Sequence, residues 1–443
     1  MINVDKLFKA AKAQGVEQFE ARITTGSKLS VTMFNDEQEN FTVADDSAFK
    51  IRGLVDGKCG VFTSDRVDDE IIDTALAALK ESAKYGNPLD PDFFIDGKAY
   101  KYEKVENYYP ALAKAPAEKF LEIAHAITKK AREKDKRMEL VIAQVEYGYD
   151  ALTLVNSNGL NVKRELNVLT VFAQSKATDG KEVQSGMWYE FVTDLDKFDV
   201  DKFVDALVAY TVGQFGGKSV KSGKYKVVYS PDCVAALMTA LGDGFSAFTA
   251  EQHMSLLEGK MGKQVFSKAF TVEQTPIGNG PMCTAFDDEG VPCANRLLID
   301  KGVPTGYVYD LATAKRAGVK STGNGRLQGT NMRPAVSCLT VHAGDKSQSE
   351  LFKAVGDGIY ITELGGVGTG LNPSSGDYSL QAAGYVIKNG KLATPVSLIT
   401  VAGNIMTDFA DVVAVGSDSK LTYYGIETPS IIIGSLSISG AEA

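Results

Sequence analysis

The sequence has few of the residues that most often carry metal or nucleophilic chemistry. Its 443 residues include three histidines, one tryptophan and five cysteines. A structural zinc site usually takes paired Cys or His ligands from one local element, but the nearest two cysteines, Cys283 and Cys293, are ten positions apart. An odd number of widely spaced cysteines predicts free thiols in a reducing compartment rather than a disulfide framework.

The sequence also lacks long hydrophobic runs and an excess of positive charge. No apolar stretch approaches the roughly 20 residues that span a bilayer, and the first residues (MINVDK) show no secretory pattern. We therefore expect a cytoplasmic protein with no membrane partner. The net charge is −9 and the pI is near 5.1. This negative charge repels the phosphates of nucleic acids, so we expect no nucleic-acid binding. The densest basic run, residues 129–137, includes acids and predicts a solvated helix end.

Short catalytic motifs are present only as fragments. Residues 244–248 (GFSAF) begin like a nucleophile elbow but lack its final glycine. Residues 217–219 (GKS) resemble the end of a phosphate loop, yet Val212 stands where that loop needs its first glycine. His125 follows Glu122 as in di-iron proteins, which need a second such pair. Taken singly, these motifs do not specify an enzyme.

The first half of the chain predicts an N-terminal mixed sheet with helices packed on one face. Helical spacing of apolar residues extends over 5–15, 67–85, the segment after Pro116, and 199–215. Strands are predicted at 20–29, 30–42, 48–61, 140–147, 151–155, 162–173 and 187–192. Asp56-Gly57 and Asn158-Gly159 predict turns. Residues 86–110, which are rich in Pro, Asp and Tyr, predict an extended surface loop.

The second half of the chain differs in its glycine content. Of 43 glycines, 14 lie at or before Ser222 and 29 lie after it. After a strand at 226–230 and a helix at 231–248, short apolar runs separated by glycines predict a curled, mostly antiparallel sheet. We therefore predict an α+β fold with an N-terminal α+β domain (1–222) and a C-terminal domain (223–443). The second domain is expected to be a glycine-rich β-barrel or sandwich.

Several short stretches resemble a known family by their order and spacing, although each is weakly specific alone. They are residues 48–62 (AFKIRGLVDGKCGVF), 286–292 (FDDEGVP), 310–316 (DLATAKR), 321–324 (STGN) and 390–391 (GK) before a Pro-Val strand. With them the whole chain resembles the TldD/PmbA family, whose members are described as peptidase-related or as modulators of DNA gyrase.

The resemblance implies zinc peptidolysis for TldD-like members, with ligands from a His-Glu-x-x-x-His helix and a distant cysteine. The corresponding helix here, residues 233–246 (CVAALMTALGDGFS), contains neither histidine nor glutamate. The distant cysteine would precede a glycine, but this sequence has Tyr423-Tyr424-Gly425. Tyr424 therefore marks the position of a lost metal ligand, and the chain resembles the PmbA (TldE) branch.

The resemblance implies a non-metal subunit that has no cofactor of its own, with the zinc held by a TldD-like partner. Such a subunit would shape the cavity and hold unfolded peptide, for example by strand addition. The candidate contacts are Thr322, Gly323, Asn324, Arg326, Gly366 and Gly368. Arg326 could hold a peptide carboxylate, although an internal salt bridge is an equally good interpretation. Residues 366–370 suit an anion cradle or an ordinary β-turn.

Two alternatives to this function stay open. A stand-alone metallopeptidase could assemble atypical ligands such as Glu251, His253 and Cys233, because residues far apart in sequence can meet in space. A non-catalytic modulator could instead bind another protein. We expect a hetero-oligomer with a TldD-like chain, or a homodimer in isolation, because the family's cavity is formed between subunits.

Overall fold

The computed structural model describes residues 1–16, 18–88, 94–329 and 331–440. Its helices are α1 (Val4–Ala13), α2 (Ile71–Ala83), α3 (Pro110–Ala113), α4 (Ala117–Lys134), α5 (Val200–Val212), α6 (Pro231–Gly244), α7 (Ala247–Glu251), α8 (Leu311–Ala317), α9 (Gln348–Val355), α10 (Val367–Gly370) and α11 (Ile405–Ala410). Its first strands are β1 (Gln18–Phe34), β2 (Glu37–Val55), β3 (Lys58–Ser64), β4 (Met138–Asn156), β5 (Asn161–Thr178) and β6 (Val183–Val192). The later strands are β7 (Gly223–Tyr229), β8 (Val272–Gln274), β9 (Arg296–Asp300), β10 (Val303–Pro304), β11 (Gly325–Gln328), β12 (Asn331–Pro334), β13 (Leu339–Val341), β14 (Gly358–Gly365), β15 (Asp377–Lys388), β16 (Lys391–Asn404), β17 (Val412–Val415), β18 (Lys420–Leu421), β19 (Glu427–Thr428) and β20 (Ile431–Ser439).

The N-terminal half forms one sheet of long strands in the order β3-β2-β1-β4-β5-β6. Each described pairing is antiparallel, so the predicted mixed sheet is corrected in this respect. The physical reason is that short turns join most neighbouring strands, and a short turn reverses the chain. The predicted turns at residues 56–57 and 158–159 are both present.

The helices of this half pack on one face of the sheet, as predicted. Ala21 of β1 pairs with Val155 of β4, and Val31 pairs with Val145. These four buried side chains point to the same face, because side chains alternate along a strand. The first pair packs with α1 and α2, and the second packs with α4 and α5.

The opposite face of this sheet contacts the C-terminal half. Arg22 of β1 and Arg164 of β5 occupy even-numbered positions, whose side chains point away from the helices. Their guanidinium groups form ion pairs with the Asp288 carboxylate, at 2.7 and 3.7 Å. Segment 94–110 also crosses to the C-terminal half, where the Tyr102 hydroxyl donates to the Gly290 carbonyl at 2.8 Å. The predicted surface loop is confirmed for most of the described part, which is exposed or half-exposed, but Phe94 and Ile95 are buried apolar residues. Residues 89–93 of that loop lie outside the described residues.

The C-terminal half contains a closed five-stranded barrel, which confirms the predicted α+β class and its β-barrel alternative. Strands follow the order β16-β15-β14-β7-β20, and β20 pairs back to β16. The β14–β7 pair is parallel, while the others are antiparallel. A second sheet, β10-β9-β8-β13-β19-β18, lies beside it.

Helix α6 connects the barrel to this second sheet through the main apolar core. Pro231 occupies its first turn and the Ser230 side chain accepts a hydrogen bond from the Cys233 N–H, which together favour a helix start. Leu237, Met238 and Leu241 are fully buried in the core. The predicted helix 231–248 is interrupted after Gly244, and α7 begins at Ala247.

No helix in the described parts of the chain combines the length and apolar character that crossing a membrane requires.

Candidate functional site

A cavity of about 540 Å³ lies between the two halves of the chain and combines aromatic, acidic and thiol side chains. One wall is formed by β4–β6 and α5, and the other by the start of α6, the end of β14 and the Tyr423–Tyr424 segment. We call it the aromatic cavity because its lining includes Trp188, Tyr189, Tyr210, Tyr423 and Tyr424. The helix predicted to correspond to the metal-binding helix and the position of the lost ligand therefore line the same space.

The charged centre of the aromatic cavity is Asp232, in the first turn of α6. The Tyr189 hydroxyl donates a hydrogen bond to one of its carboxylate oxygens, and Lys420 forms a 2.7 Å ion pair with the other. The Lys420 ammonium also lies 5.0 and 5.2 Å from the ring centroids of Trp188 and Tyr189, within the range of cation–π attraction. Asp232 is thus already engaged on both oxygens.

The rest of the wall is aromatic and packed edge to face. The Tyr189 and Tyr423 rings are 5.7 Å apart at an interplanar angle of 69°. Across the cavity, the Tyr210 hydroxyl donates to the Glu363 carboxylate at 3.1 Å. Met187, Tyr423 and Tyr424 keep about half of their surface exposed. A surface of this kind favours the binding of apolar side chains, which its few fixed hydrogen-bonding groups can orient.

The lining does not fit a zinc ion. Zinc binds deprotonated thiolate, neutral imidazole or free carboxylate donors. Burial raises the pKa of the Cys233 thiol, and burial, with smaller effects of Cys233 and Asp232, raises the pKa of the Tyr424 phenol. Among the described residues no three His, Cys, Asp or Glu side chains are grouped so that they could hold a metal ion.

The atypical ligands considered above are not brought together. His253 pairs with Glu258 at 2.7 Å on the surface, and Glu251 pairs with Arg316 at 2.7 Å. Cys233 instead lines the aromatic cavity from α6. The alternative of a metallopeptidase built on these three residues therefore has no structural basis.

The predicted contact loop at residues 322–326 lies outside the aromatic cavity. The Asn324 side chain is fully buried and donates to Gln274 Oε1 at 2.6 Å and to the Ala335 carbonyl at 2.9 Å. Thr322 donates to Asn324 Oδ1 at 2.8 Å. Gly323 has φ of +72°, and a Cβ there would lie 2.2 Å from the Pro292 carbonyl oxygen. These three residues therefore stabilise the loop itself.

Arg326 and the second predicted contact segment are placed differently. The Arg326 guanidinium donates to the Ser337 hydroxyl at 3.1 Å. Gly366 caps the short helix α10 with φ of +77° and accepts a 2.7 Å bond from the Gly370 N–H. Gly368 lies within that helix. The helix follows β14, whose residues 362–364 line the aromatic cavity, but Gly366 and Gly368 are not among the lining residues.

The sequence motif at residues 286–292 forms a buried acidic turn that joins the halves of the chain. Asp287 Oδ1 accepts from the N–H groups of Glu289 and Val291, each at 2.9 Å, and Oδ2 accepts from the Gly325 N–H at 2.7 Å. Burial raises the pKa of Asp287 to about 6 and that of Glu289 to about 8, where the neighbouring Asp287 contributes. The motif thus has a structural role at this position.

Glu289 is expected to make the chain less stable as the pH rises. Its pKa moves from 4.5 to about 8 on folding, so between these values the folded state holds a proton that the unfolded state has lost. Unfolding is then favoured by increasing pH. Glu289→Gln keeps an acceptor for the Leu311 N–H, which lies 2.8 Å from the carboxylate, and removes this titration. The free energy of unfolding that the variant gains over the wild type should be roughly 4 kcal/mol larger at about pH 9 than at about pH 5.

Thermal unfolding followed by circular dichroism at the two pH values measures that difference. Glu70→Gln, on a side chain that is 85% exposed, is the matched control and should change the melting temperature equally at both pH values. A Glu289→Gln effect that is the same at both pH values would contradict the assignment.

Sequence reasoning missed Trp188, Tyr189, Tyr210 and Lys420. These residues come from three distant segments, and periodicity carries no information on which segments meet. One signal was available, since β6 contains the aromatic run Trp188-Tyr189-Glu190-Phe191 near the edge of the sheet. Aromatic residues clustered on an edge strand are typical of surfaces that bind a partner or ligand.

Comparison with known proteins places three family models along the chain. Models described as PmbA/TldA metallopeptidase domain 1, central domain and C-terminal domain match residues 19–84, 110–215 and 222–440. A relative named metalloprotease PmbA from Escherichia coli O157:H7 is 26% identical, over 97% of this chain and 93% of its own length. A metalloprotease TldD homolog from Haemophilus influenzae is also 26% identical, over 85% of this chain and 80% of its own length.

Solved structures share the fold over nearly the whole chain. A Thermotoga maritima protein described as a modulator of a DNA gyrase is 28% identical, with a TM-score of 0.90, and the match covers 98% of this chain and 99% of that one. TldE from Thermococcus kodakarensis has a TM-score of 0.89, and the match covers 98% of this chain and 99% of that one. Because the two chains are only 21% identical, this likeness shows the fold alone.

Proposed function

The chain belongs to the PmbA/TldD metallopeptidase family, and we propose that it is the non-metal, TldE-type subunit of a two-component peptidase. In this proposal a zinc-bearing TldD-like partner cleaves unfolded peptide, while this chain shapes the cavity and holds the peptide. The chain itself carries no cofactor. Its expected place is the cytoplasm, and in isolation it pairs with a second copy of itself.

The observation that carries the proposal is the state of the donors at the start of α6. Asp232 is engaged by Tyr189 and Lys420, and the nearby Cys233 and Tyr424 have raised pKa values because they are buried. A water molecule is activated for peptide hydrolysis when a metal lowers its pKa. The residues at the start of α6 do not supply the ligands that would bind such a metal.

The aromatic cavity supports the peptide-holding part of the proposal. Strand β6 is the last strand of its sheet, and its residues 185–189 line the cavity. An extended peptide can add to such an edge through backbone hydrogen bonds, which are indifferent to sequence, while alternate side chains enter pockets. Tyr423 and Tyr424 would receive apolar side chains of the peptide. Gly366 and Gly368 remain candidate contacts for the peptide, whereas residues 322–326 stabilise the fold of their own loop.

A pull-down of the full chain from its source cells at physiological salt tests the partnership. The proposal predicts that a TldD-like chain carrying a His-Glu-x-x-x-His sequence is the dominant partner, and that the recovered complex hydrolyses an unfolded protein. Recovery of topoisomerase subunits without such a chain would contradict it. That result would favour a non-catalytic modulator, as the description of the Thermotoga maritima relative suggests.

A further inference from the structure

Two cysteines that are distant in sequence lie together beside Thr275, outside the aromatic cavity. The Cys338 thiol donates a hydrogen bond to the Met282 carbonyl oxygen at 2.9 Å, which brings its sulfur next to Cys283, the following residue in the chain. Thr275 holds both chain segments, because its N–H donates to the Cys338 carbonyl at 2.9 Å and its own carbonyl lies 3.9 Å from Cys283 Sγ. Both cysteines are thus held next to Thr275, at the end of β8.

The backbone at Cys338 is unusual for a residue with a side chain. Its φ is +50°, in the left-handed region that few residues other than glycine adopt. It stands directly before β13, where Leu339 pairs with Gln274. Residues held in such conformations are found preferentially at functional sites and switches. Here the conformation coincides with the contact between the two thiols.

The three neighbouring thiols differ in acidity, and the Cys283 side chain, together with burial, raises the pKa of the Cys338 thiol. Cys338 is half-buried, Cys283 is 8% exposed, and Cys293 is 4% exposed. The interaction with the Cys338 side chain lowers the pKa of Cys283, although burial opposes it. Burial raises the pKa of Cys293 to about 11. At neutral pH the thiolate, which is the reactive form, is therefore favoured at Cys283 over Cys293.

We propose that Cys283 and Cys338 form a redox-active dithiol that a peroxide converts to an intramolecular disulfide. The Cys283 thiolate attacks one peroxide oxygen, the O–O bond breaks, and the leaving hydroxide takes up a proton to form water. The resulting sulfenic acid is then attacked by the Cys338 sulfur. An S–S bond forms, the S–O bond breaks, and the hydroxide leaves with the Cys338 proton as a second water. The pair loses two electrons, which reduce the peroxide.

The disulfide would tighten a contact between the two halves of the chain. Asn107 donates to the Cys283 carbonyl at 2.8 Å, and Glu106 exchanges backbone hydrogen bonds with Gly278 and Gly280 at 3.1 and 3.0 Å. Segment 278–283 is therefore hydrogen-bonded to the N-terminal half. Joining it covalently to the start of β13 restrains this connection. Amide hydrogen exchange of residues 278–283 should slow at least severalfold after oxidation.

The test uses the full chain, first reduced and then exposed to hydrogen peroxide near neutral pH. Free thiols are alkylated, and tryptic peptides are analysed by mass spectrometry. Trypsin leaves Cys338 in the fragment 327–346, but it leaves Cys283 and Cys293 together in the fragment 269–296. Cys293→Ser is therefore the matched variant, because any remaining link between these fragments must involve Cys283.

The proposal predicts that the wild type and Cys293→Ser lose two free thiols per chain, form the linked fragments, and recover both thiols on reduction. Cys338→Ser should form no link and should instead accumulate sulfinic acid at Cys283. The wild-type measurement needs no substitution, so a folding defect in a variant cannot obscure the result. The proposal is overturned if the wild-type chain forms no such link, if the link requires Cys293, or if it joins two chains.

Discussion

Replacement of Asp287 by alanine will destabilise the chain by about 3–5 kcal/mol, because it removes one carboxylate that satisfies three buried backbone donors. Asp287 is fully buried, and it accepts from the N–H groups of Glu289, Val291 and Gly325. Alanine leaves these donors without a partner inside the fold. Gly325 lies beyond the acidic turn, at the start of β11, so losing its hydrogen bond also loosens the connection to that strand.

The melting temperature of Asp287→Ala, measured by circular dichroism at neutral pH, should fall by several degrees. Asp345→Ala is the matched control, because the Asp345 side chain is 94% exposed, and it should change the free energy of unfolding by no more than about 0.5 kcal/mol. If both variants melt with the wild type, the turn at residues 286–292 does not have the structural role assigned to it.

The second large effect is expected in the peptidase complex. Replacing Tyr423 and Tyr424 together by alanine should lower kcat/KM for an unfolded protein at least tenfold, because the cavity loses two aromatic surfaces that hold the peptide. Tenfold corresponds to about 1.4 kcal/mol, which is modest for aromatic residues at a binding surface. Both side chains are about half exposed, so the substitution should leave the fold intact.

Tyr85→Ala provides the control for this measurement. Tyr85 is 86% exposed and is not among the residues that line the aromatic cavity. The reconstituted complex containing it should match the wild type in kcat/KM. Equal activities of the double variant and the wild type, with equal melting temperatures, would remove the aromatic cavity from the account of peptide binding.

The sequence predicted the elements of the fold better than their limits. The apolar pattern predicted strands at 20–29 and 30–42, whereas in the structure β1 continues to Phe34 and β2 begins at Glu37. The chain actually reverses at Asn35, whose φ is +52°. Asparagine tolerates this conformation, but the charged residues after it gave no alternation by which the turn could be recognised. Likewise, the predicted strands 140–147 and 151–155 are parts of a single strand, β4.

The candidate site was predicted only in part, because its residues come together through tertiary contacts. The family resemblance identified the start of α6 and Tyr424, which line the same cavity. Lys420 was not singled out, since a lone lysine carries no motif. The contact between Cys283 and Cys338 could not be read from spacing either. It depends on Thr275, which lies in a third segment of the chain.

The most direct test of the proposed division of labour is the zinc content of the purified chain, determined by elemental analysis at neutral pH together with its hydrolysis of an unfolded protein. We expect far less than one zinc per chain and no hydrolysis by the chain alone, with activity appearing when the zinc-bearing partner is added. One zinc per chain, lost along with hydrolysis on treatment with a chelator, would contradict the account.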